Sequence, residues 1–443
     1  MVDITEFEQA CKYVKEAAAL GSRPGLGRIE RLCELLGNPQ DDLKFIHVAG
    51  TNGKGSTAAM MESILCCAGL RVGMYYSPAL TGICDHFRVN GELIDMADYT
   101  RTVAEVAKAN SKLKKESPHG ATQFEIETAV AFLYFRKKSC DVVILECGMG
   151  GRDDATNVVE NKLCCVITSV GFDHMYQLGH TIKQIAAHKA GIITTDCPVI
   201  ALNNKEEVID VIRKRCNKTG SALYPVSPAV GEDYDMFPMG QAMSFDGMEK
   251  VIVSLAGTYQ TENAPLAVKA VYVLAAKGML DGCEINEAVI REGLKKTKWP
   301  YRFECICANP MVIVDGAHNI DAAIALKKTI KEYLPGYKII LIIGIFADKE
   351  YEKIVATLSD VVEIMITVST KMKKRSLSAS RLASCAQNYC SQVFASPNLK
   401  EAYKSALSFA QNLSDKGEKT GVIACGSLSY LARFTRIVLE NMK

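Results

Sequence analysis

The stretch His47-Val48-Ala49-Gly50-Thr51-Asn52-Gly53-Lys54-Gly55-Ser56-Thr57 decides the fold of this chain. The apolar run Leu43 to Ala49 leads into it and predicts a strand, and the residues from Ser56 to about Ala68 predict a helix. Glycines between strand and helix let backbone N–H groups face phosphate oxygens, and the helix N-terminus adds positive potential. Because Lys54 can neutralise β- and γ-phosphates, the stretch predicts a nucleotide phosphate site.

Two positions in this stretch depart from the usual Walker pattern. Val48 stands where the first glycine would be, and Gly55 follows the lysine where Ser or Thr is expected. An ordinary glycine turn is the alternative interpretation, but a strand, a helix and a lysine together favour a phosphate site. By itself the stretch indicates a bound nucleotide phosphate and no particular reaction.

Short apolar runs alternate with helical patterns outward from this stretch, which predicts an α/β fold. A helical pattern opens the chain, with Phe7, Cys11, Val14 and Ala18 on one face. The other predicted strands are Arg71–Tyr76, Asp141–Glu146, Leu163–Val170 and Pro198–Leu202, and the predicted helices are Glu125–Lys137 and Thr181–Ala190. Such an order is typical of a doubly wound sheet with ligand loops at the carboxyl ends of its strands.

The pattern changes after residue 220 and again near Trp299-Pro300. Residues 220–260 are punctuated by Pro and Gly and predict a β-rich, hairpin-containing excursion within the first domain. A helix at Ala264–Lys277 follows. A second α/β unit then has predicted strands at Met311–Val314, Lys338–Ile345, Val362–Thr367 and Val422–Cys425, and helices at Ala322–Tyr333 and Leu399–Leu413. We therefore predict two domains, residues 1–297 and 298–443.

The composition excludes several classes of protein. The chain has 443 residues and a net charge of +2, which provides no field for nucleic acid or a membrane surface. The longest apolar stretch, Ile339 to Ala347, is too short to span a bilayer, and the first residues do not form a signal peptide. The 17 cysteines include no Cys-x-x-Cys pair, which favours reduced, buried thiols in a cytoplasmic protein over disulfides or a zinc site.

A series of motifs, in order along nearly the whole chain, resembles the folylpolyglutamate synthase/dihydrofolate synthase family of the Mur ligase superfamily. The motifs that carry the resemblance are Pro24–Ile29, Leu36–Gln40, Gly50–Ser56, Tyr76–Pro78, Glu146–Arg152 with Asp154–Asn157, Asp173–Met175, Leu178-Gly179, Lys189–Ile192, Trp299–Glu304, Asp315–Asn319 and Gly426–Leu428. Glu146-Cys147-Gly148-Met149-Gly150-Gly151-Arg152 is the most distinctive of them.

The resemblance implies both a fold and a reaction. The fold is two-domain and Mur-ligase-like: a P-loop mononucleotide-binding ATPase domain followed by a smaller Rossmann-like domain. The reaction is the ATP-dependent addition of L-glutamate to tetrahydrofolate, with dihydropteroate left open as a second acceptor. The carboxylate of the acceptor attacks the γ-phosphate of ATP, and the amine of glutamate then attacks the acyl phosphate. The implied protein is a cytoplasmic monomer without nucleic-acid or membrane partners.

The resemblance also implies roles for individual residues. It assigns catalytic roles to Lys54, Lys189 and His174. It implies two Mg²⁺ ions and assigns Ser77, Glu146 and His174 as metal ligands. It assigns ATP binding to Gly50, Thr51, Asn52, Gly53, Lys54, Gly55, Ser56, Thr57, Asn263, Arg302, Asp315 and His318, the last three closing over the nucleotide from the second domain. It assigns folate binding to Leu26, Gly27, Arg28, Ile29 and Asp154, and leaves a monovalent cation open.

Several of these roles have structural alternatives. Imidazole is an unusual ligand for Mg²⁺, so His174 is also compatible with a supporting role. Glu146 is also compatible with a capping or paired acid, and Asn263 with a helix N-cap instead of an adenine contact. Lys189 corresponds to a lysine that is carbamoylated by CO₂ in related ligases, and its alternative is an ordinary cationic lysine. His188 stands before it, where the family has an acid.

Departures from the family pattern concern the acceptor side. Ala79 replaces a His, Asp85-His86 replaces a Glu-Arg pair, and Tyr259, Tyr301 and Ile320 replace a His, a Gly and a Pro. The phosphate residues are retained, so the reaction type is better defined than the acceptor. The alternatives are a ligase of the same fold acting on another acid, a cell-wall Mur ligase, and a non-catalytic nucleotide-binding partner.

Overall fold

The protein forms two compact units in a computed structural model that describes residues 4–117, 119–233, 238, 240–280, 282–370 and 375–442. The first unit comprises Met1–Ala229 and Glu262–Thr297, and the second comprises Val230–Thr261 and Lys298–Lys443. The chain therefore leaves the first unit, contributes a segment to the second, and returns.

The first unit is built on an eight-stranded sheet in the order β4-β3-β2-β5-β1-β6-β7-β8. Its strands are β1 (Phe45–Ala49), β2 (Val72–Tyr75), β3 (Phe87–Val89), β4 (Glu92–Leu93), β5 (Val142–Glu146), β6 (Lys162–Ile167), β7 (Val199–Leu202) and β8 (Leu223–Val226). The strands from β2 to β8 in this order are parallel, and β3 and β4 add an antiparallel edge. Parallel strands are covered on both faces, which explains why β1, β5, β6 and β7 are buried throughout.

The helices of the first unit are α1 (Phe7–Ala17), α2 (Gly27–Leu35), α3 (Lys54–Cys67), α4 (Met96–Glu116), α5 (Gln123–Lys137), α6 (Met175–Leu178), α7 (Ile182–Lys189), α8 (Glu206–Thr219), α9 (Gln260–Ala276) and α10 (Glu287–Lys296). Side-chain caps define several of their starts. Thr122 accepts a hydrogen bond from the backbone N–H of Glu125, whose carboxylate accepts from Thr122 in return, and Thr181 and Gln184 form the same capping box.

Two apolar clusters lie on the first sheet. One joins α1, α2, α4 and α5 to β1, β2 and β5, and the other joins α7 and α8 to β6 and β7. Helix α3 is buried on nearly every side. Helix α10 packs closely on α3 at Gly293, where a Cβ would meet the Cα of Ile64 in α3 at 2.6 Å. The Ser63 hydroxyl of α3 donates a hydrogen bond to the Gly293 carbonyl at 2.7 Å.

In its described residues, the second unit contains a six-stranded sheet, a three-stranded antiparallel sheet and five helices. The strands are β9 (Val230–Asp233), β10 (Gln241–Phe245), β11 (Met248–Val253), β12 (Glu304–Ala308), β13 (Met311–Val314), β14 (Lys338–Ile343), β15 (Ile364–Thr367), β16 (Val393–Ala395) and β17 (Thr420–Cys425). The helices are α11 (Ile320–Tyr333), α12 (Tyr351–Ser359), α13 (Ala379–Ala386), α14 (Leu399–Ser414) and α15 (Leu428–Asn441). The larger sheet has the order β12-β13-β17-β14-β15-β16 and is parallel except for β12.

The β-rich excursion differs from its prediction. Residues 223–226 extend the first sheet as β8, but Val230–Thr261 groups with the second unit and not with the first. The physical reason lies at its end, where Gly257 donates to the Tyr333 hydroxyl at 3.1 Å and Thr258 donates to the Thr329 hydroxyl at 3.1 Å. Residues 234–237 and 239 of the predicted excursion lie outside the described residues.

Two predictions about the whole chain can be compared with the fold. All 17 cysteines are free thiols, but only ten of them are buried and seven are partly exposed, so the predicted burial holds for part of them. Among the described residues, no helix combines the length and the apolar character that a bilayer crossing requires.

Candidate active site

The carboxyl ends of the central strands of the first sheet converge around the loop between β1 and α3. Strand β1 lies between β5 and β6, with Val48 paired to Glu146 and Ala49 paired to Ile167. The segments that leave β5 and β6 therefore flank the loop. In parallel sheets this edge is where ligands bind.

The loop is held by the segment that follows β6. The Thr51 N–H donates to the Ser169 carbonyl at 2.7 Å, and the Thr51 hydroxyl lies 3.1 Å from the Gly171 carbonyl. The Thr168 hydroxyl donates to the Asn52 carbonyl at 2.7 Å. These contacts use one N–H, one hydroxyl and one carbonyl of the loop and hold it against the segment after β6.

Two glycines of the loop have no room for a side chain. Gly53 has φ +87°, and a Cβ there would meet the Asn263 Oδ1 at 2.3 Å. A Cβ at Gly50 would meet the Thr168 hydroxyl at 1.8 Å. Asn263 is the fourth residue of α9 and is buried, so the N-cap alternative is wrong: α9 begins at Gln260, and the Asn263 amide lies against the phosphate loop.

Lys54 and Glu146 face each other at this edge. The Lys54 Nζ lies 3.6 Å from the Glu146 Oε1, and both side chains are largely buried. The Nζ also donates to the Thr51 carbonyl at 3.3 Å. Glu146 is the last residue of β5, so it caps no helix, and its contact with Lys54 matches the alternative of a paired acid.

Lys189 is a second amine at the same loop. Its Nζ donates to the Gly50 carbonyl at 2.7 Å, and the side chain is 3% exposed. Burial and the neighbouring Lys54 charge together lower the pKa of Lys189 to about 7. The preceding residue, His188, replaces the acid of the family pattern, and its Nδ1 lies 3.9 Å from the Asp153 carboxylate.

Buried hydroxyls and a carboxylate at this edge fit a magnesium ion and a phosphate. The hydroxyls of Ser56 and Thr57 are buried and have no hydrogen-bond partner within the described residues. Ser77 follows β2, whose Tyr75 pairs with Leu145, so Ser77 and Glu146 leave neighbouring strands at the same edge. Oxygen ligands of this kind suit Mg²⁺, which commonly keeps water and phosphate oxygens as further ligands. No group of three or more His, Cys, Asp or Glu side chains is placed to hold a metal within the described part of the chain.

His174 lies in the segment after β6 and has an unusual backbone. Its φ is +50°, in the left-handed region, which is uncommon for a residue other than glycine. Its side chain is 44% exposed, and its Nε2 lies 4.0 Å from the Asp173 carboxylate. The structure thus presents His174 at the site edge, and its role as a metal ligand stays a prediction.

The segment after β5 is organised around Asp154. One carboxylate oxygen accepts the Met149 N–H at 2.7 Å, and the other accepts the Thr156 hydroxyl at 2.6 Å. The Thr156 hydroxyl lies 2.9 Å from the His47 Nε2, and burial lowers the pKa of His47 well below its usual value. Sequence reasoning missed this role of His47; the available signal was a polar residue in an otherwise apolar strand.

The predicted folate residues at α2 are placed differently from one another. Ile29 is fully buried in the core where α2 packs on α4 and α5, and its folate contact stays a prediction. The Arg28 guanidinium makes two contacts with Glu125, at 3.2 Å and 3.1 Å. At the start of the helix, Leu26 is partly exposed and Gly27 is exposed, and their folate contacts stay predictions.

The second unit gathers its three predicted residues near the carboxyl end of β13. Asp315 is buried and accepts the Tyr259 hydroxyl at 2.7 Å, the Phe303 N–H at 2.9 Å and the Ala317 N–H at 2.8 Å. Arg302 donates to the Tyr301 carbonyl, and the His318 Nδ1 lies 2.8 Å from the Gly316 carbonyl. Both Asp315 oxygens therefore organise the surrounding loops, and the nucleotide contacts of Arg302, Asp315 and His318 stay predictions.

Known proteins are similar to this chain over nearly its whole length. Residues 48–271 match the family model described as the Mur ligase middle domain, and residues 301–428 match the Mur ligase, glutamate ligase domain. A Bacillus subtilis protein named dihydrofolate synthase/folylpolyglutamate synthase is 33% identical over 434 residues, which cover 97% of this chain and 98% of that protein.

The chain belongs to the folylpolyglutamate synthase/dihydrofolate synthase family. A Lacticaseibacillus casei folylpolyglutamate synthase is 32% identical and covers 99% of each chain. A Mycobacterium tuberculosis folylpolyglutamate synthase solved with ADP and AMPPCP superposes with a TM-score of 0.88 at 28% identity, covering 98% of this chain and 99% of that one. The predicted family and the predicted α/β fold of the Mur ligases are thereby confirmed.

Proposed function

We propose that this chain uses ATP to join L-glutamate to the carboxylate of a reduced folate, with dihydropteroate as a second acceptor. The observation that carries the proposal is the phosphate loop, with Lys54 beside Glu146 and Lys189 on the Gly50 carbonyl. Relatives that match almost end to end are named for these two activities.

The acceptor carboxylate must be activated before an amine can attack it, because a carboxylate oxygen is a poor leaving group. Transfer of the γ-phosphoryl group to the acceptor carboxylate converts that oxygen into phosphate, and attack by the glutamate amine then releases it. Negative charge spreads over the transferring oxygens, so cations that are already in place stabilise it. Lys54 supplies a fixed cation at the loop, and the N–H groups at the start of α3 supply partial positive charge.

A magnesium ion would be held by Glu146 and Ser77, with Ser56 or Thr57 as a further hydroxyl. When bound, it would neutralise phosphate charge and polarise the phosphorus that is attacked. A second magnesium ion, a monovalent cation, a monomeric state and a cytoplasmic location remain parts of the proposal.

The proposed activity predicts ADP release that requires both glutamate and a pterin acid. We expect release with ATP, Mg²⁺ and glutamate when tetrahydrofolate monoglutamate is added, and also with dihydropteroate if the chain has both activities. Coupled detection of ADP measures the rate, and mixtures lacking glutamate or lacking the acceptor are the controls. Release that needs glutamate but no pterin would point to a different acid as acceptor. This is the specific alternative because Ala79 and His86 depart from the family pattern on the acceptor side.

Lys189 provides a separate prediction about modification. The neutral Nζ would attack CO₂, form an N–C bond and lose one proton to solvent, which leaves an anionic carbamate. At pH 8 a lysine with a pKa of about 7 is about nine-tenths free amine, whereas an ordinary lysine is less than about 1% free amine. We therefore expect a carbamate signal by NMR with ¹³C-bicarbonate that grows as the pH rises through about 7.

The Lys189→Arg variant should lose this signal and about 10²-fold in turnover, because arginine keeps a positive charge where the proposal requires an anion. Lys162 is an internal control. It is also a buried lysine, but its Nζ donates to Asn157 and to the Ile192 carbonyl. A signal that persists in Lys189→Arg would place the carbamate on another amine and contradict this part of the proposal.

A further inference from the structure

The turn that carries Ser77 is held on both sides by one buried carboxylate, Asp85. Its Oδ1 accepts the Tyr76 hydroxyl at 2.7 Å, directly before Ser77. Its Oδ2 accepts the backbone N–H groups of Leu80 at 2.6 Å and Thr81 at 2.9 Å, directly after the turn. Asp85 is 2% exposed, so these bonds are shielded from water.

His86 fixes the same turn through the backbone. Its Nδ1 lies 2.7 Å from the Tyr76 carbonyl, and the Tyr76 N–H donates to the His86 carbonyl at 3.3 Å. These contacts continue the antiparallel pairing of β2 with β3, where Tyr75 pairs with Phe87. The peptide that precedes Ser77 is therefore anchored at the sheet edge.

Arg88 extends the anchoring from β3. One of its guanidinium nitrogens lies 3.7 Å from the Asp85 Oδ1, and the guanidinium lies over the Tyr76 ring at 5.2 Å. The guanidinium thus adds an electrostatic contact to the carboxylate that accepts the three hydrogen bonds. By contrast, Pro78 at the tip of the turn is exposed, so the turn has little support on its outer side.

We infer that Asp85 is a positioning residue that sets where the Ser77 hydroxyl stands relative to Glu146. The inference rests on the proposed function, in which Ser77 and Glu146 hold Mg²⁺. Groups that orient metal ligands through hydrogen bonds typically change metal affinity by about 10- to 100-fold when removed. Asp85 acts on the turn at two points, so its loss loosens the turn around Ser77, although Tyr76 keeps its backbone contacts with His86 and Glu146 stays on its strand.

Metal binding can be measured without turnover. We expect the wild-type chain to bind Mn²⁺, used in place of Mg²⁺, in the presence of AMPPCP, as followed by electron paramagnetic resonance. Asp85→Ala should raise the Mn²⁺ dissociation constant by about tenfold. Tyr76→Phe, which removes one of the three hydrogen bonds, should raise it by about threefold and provides a test if Asp85→Ala does not fold.

Glu62→Gln is the matched control. Glu62 is also a buried carboxylate that accepts a backbone N–H, that of Gly91 in the β3–β4 hairpin, at 3.0 Å. Within the described residues it interacts with the Arg88 charge but accepts none of the hydrogen bonds that Asp85 accepts from the Ser77 turn. Its Mn²⁺ affinity should stay within about twofold of wild type while its melting temperature falls. Equal Mn²⁺ affinity in Asp85→Ala, or Tyr76→Phe, and Glu62→Gln would overturn the inference.

Failure of the proposed function gives a different result. If the wild-type chain bound AMPPCP but no Mn²⁺ with it, the magnesium site itself would be absent and the inference would fall with it. If wild type binds Mn²⁺ and releases ADP with glutamate and a pterin acid, only the comparison of variants decides on Asp85.

Discussion

Lys54→Ala should lower the turnover number for ADP release by about 10²–10³-fold. That is the scale for removing one fixed group that stabilises developing charge in a water-poor site. Lys54 is well placed for this role, because its Nζ lies between the Thr51 carbonyl and the Glu146 carboxylate and is only 16% exposed. Steady-state kinetics at saturating ATP, glutamate and acceptor measure the loss.

Lys205→Ala is the control for Lys54→Ala. The Lys205 Nζ also donates to a backbone carbonyl, that of Val170, at 2.9 Å and is partly buried, but it lies outside the phosphate loop. Its turnover should stay within about twofold of wild type. Near-normal turnover in Lys54→Ala would remove the phosphate role of the loop.

Gly53→Ala should lower kcat/KM for ATP by about 10²-fold. The new Cβ would lie 2.3 Å from the Asn263 Oδ1, so the loop or the amide must move by about 1 Å, and a displacement of that size can cost about 10²-fold. In addition, φ is +87°, which costs a residue with a Cβ about 1–2 kcal/mol. Initial rates at varied ATP concentration measure the change.

Gly69→Ala separates these two causes. Gly69 follows α3 at its other end with φ +90°, but a Cβ there meets nothing within 4 Å. This variant should lose about 1 kcal/mol of stability and little activity. The double variant Gly53→Ala/Asn263→Ala lacks the clashing oxygen. Its kcat/KM should therefore be higher than the value expected from adding the free-energy effects of the two single substitutions. Strict additivity would show that the clash does not matter.

The central strands and the helices beside them could be predicted because their patterns are local. β1, β5 and β13 coincide with predicted apolar runs, and parallel strands show such runs since both faces are covered. Helix α4 was not predicted. Its buried face combines apolar residues at helical spacing with Thr100, Thr102 and Asn110, and these polar residues interrupt the apolar period. The prediction that residues 230–261 belong to the first domain was wrong, because a β-strand pattern does not reveal which unit the strands pack against.

The candidate site was predictable where one motif contains the whole contact. Gly50–Thr57 form the loop and helix start as predicted, because glycine, lysine and strand lie next to each other in sequence. Asn263 meets Gly53 across 210 positions, and no local signal reports that contact. The burial of Ile29 could not be predicted either, because a motif does not say which face of α2 turns inward.

The closeness of Asn263 to Gly53 also has a consequence for biosynthesis. Residues 230–261 belong to the second unit but precede the returning segment 262–297 in the sequence. A ribosome therefore makes them before it makes that segment. Until that segment emerges, α3 lacks Gly293 against Ile64 and the loop lacks its neighbouring amide. A nascent chain that ends at residue 229 therefore has the glycines and the lysine but an unfinished nucleotide cradle, and the order of translation postpones its completion.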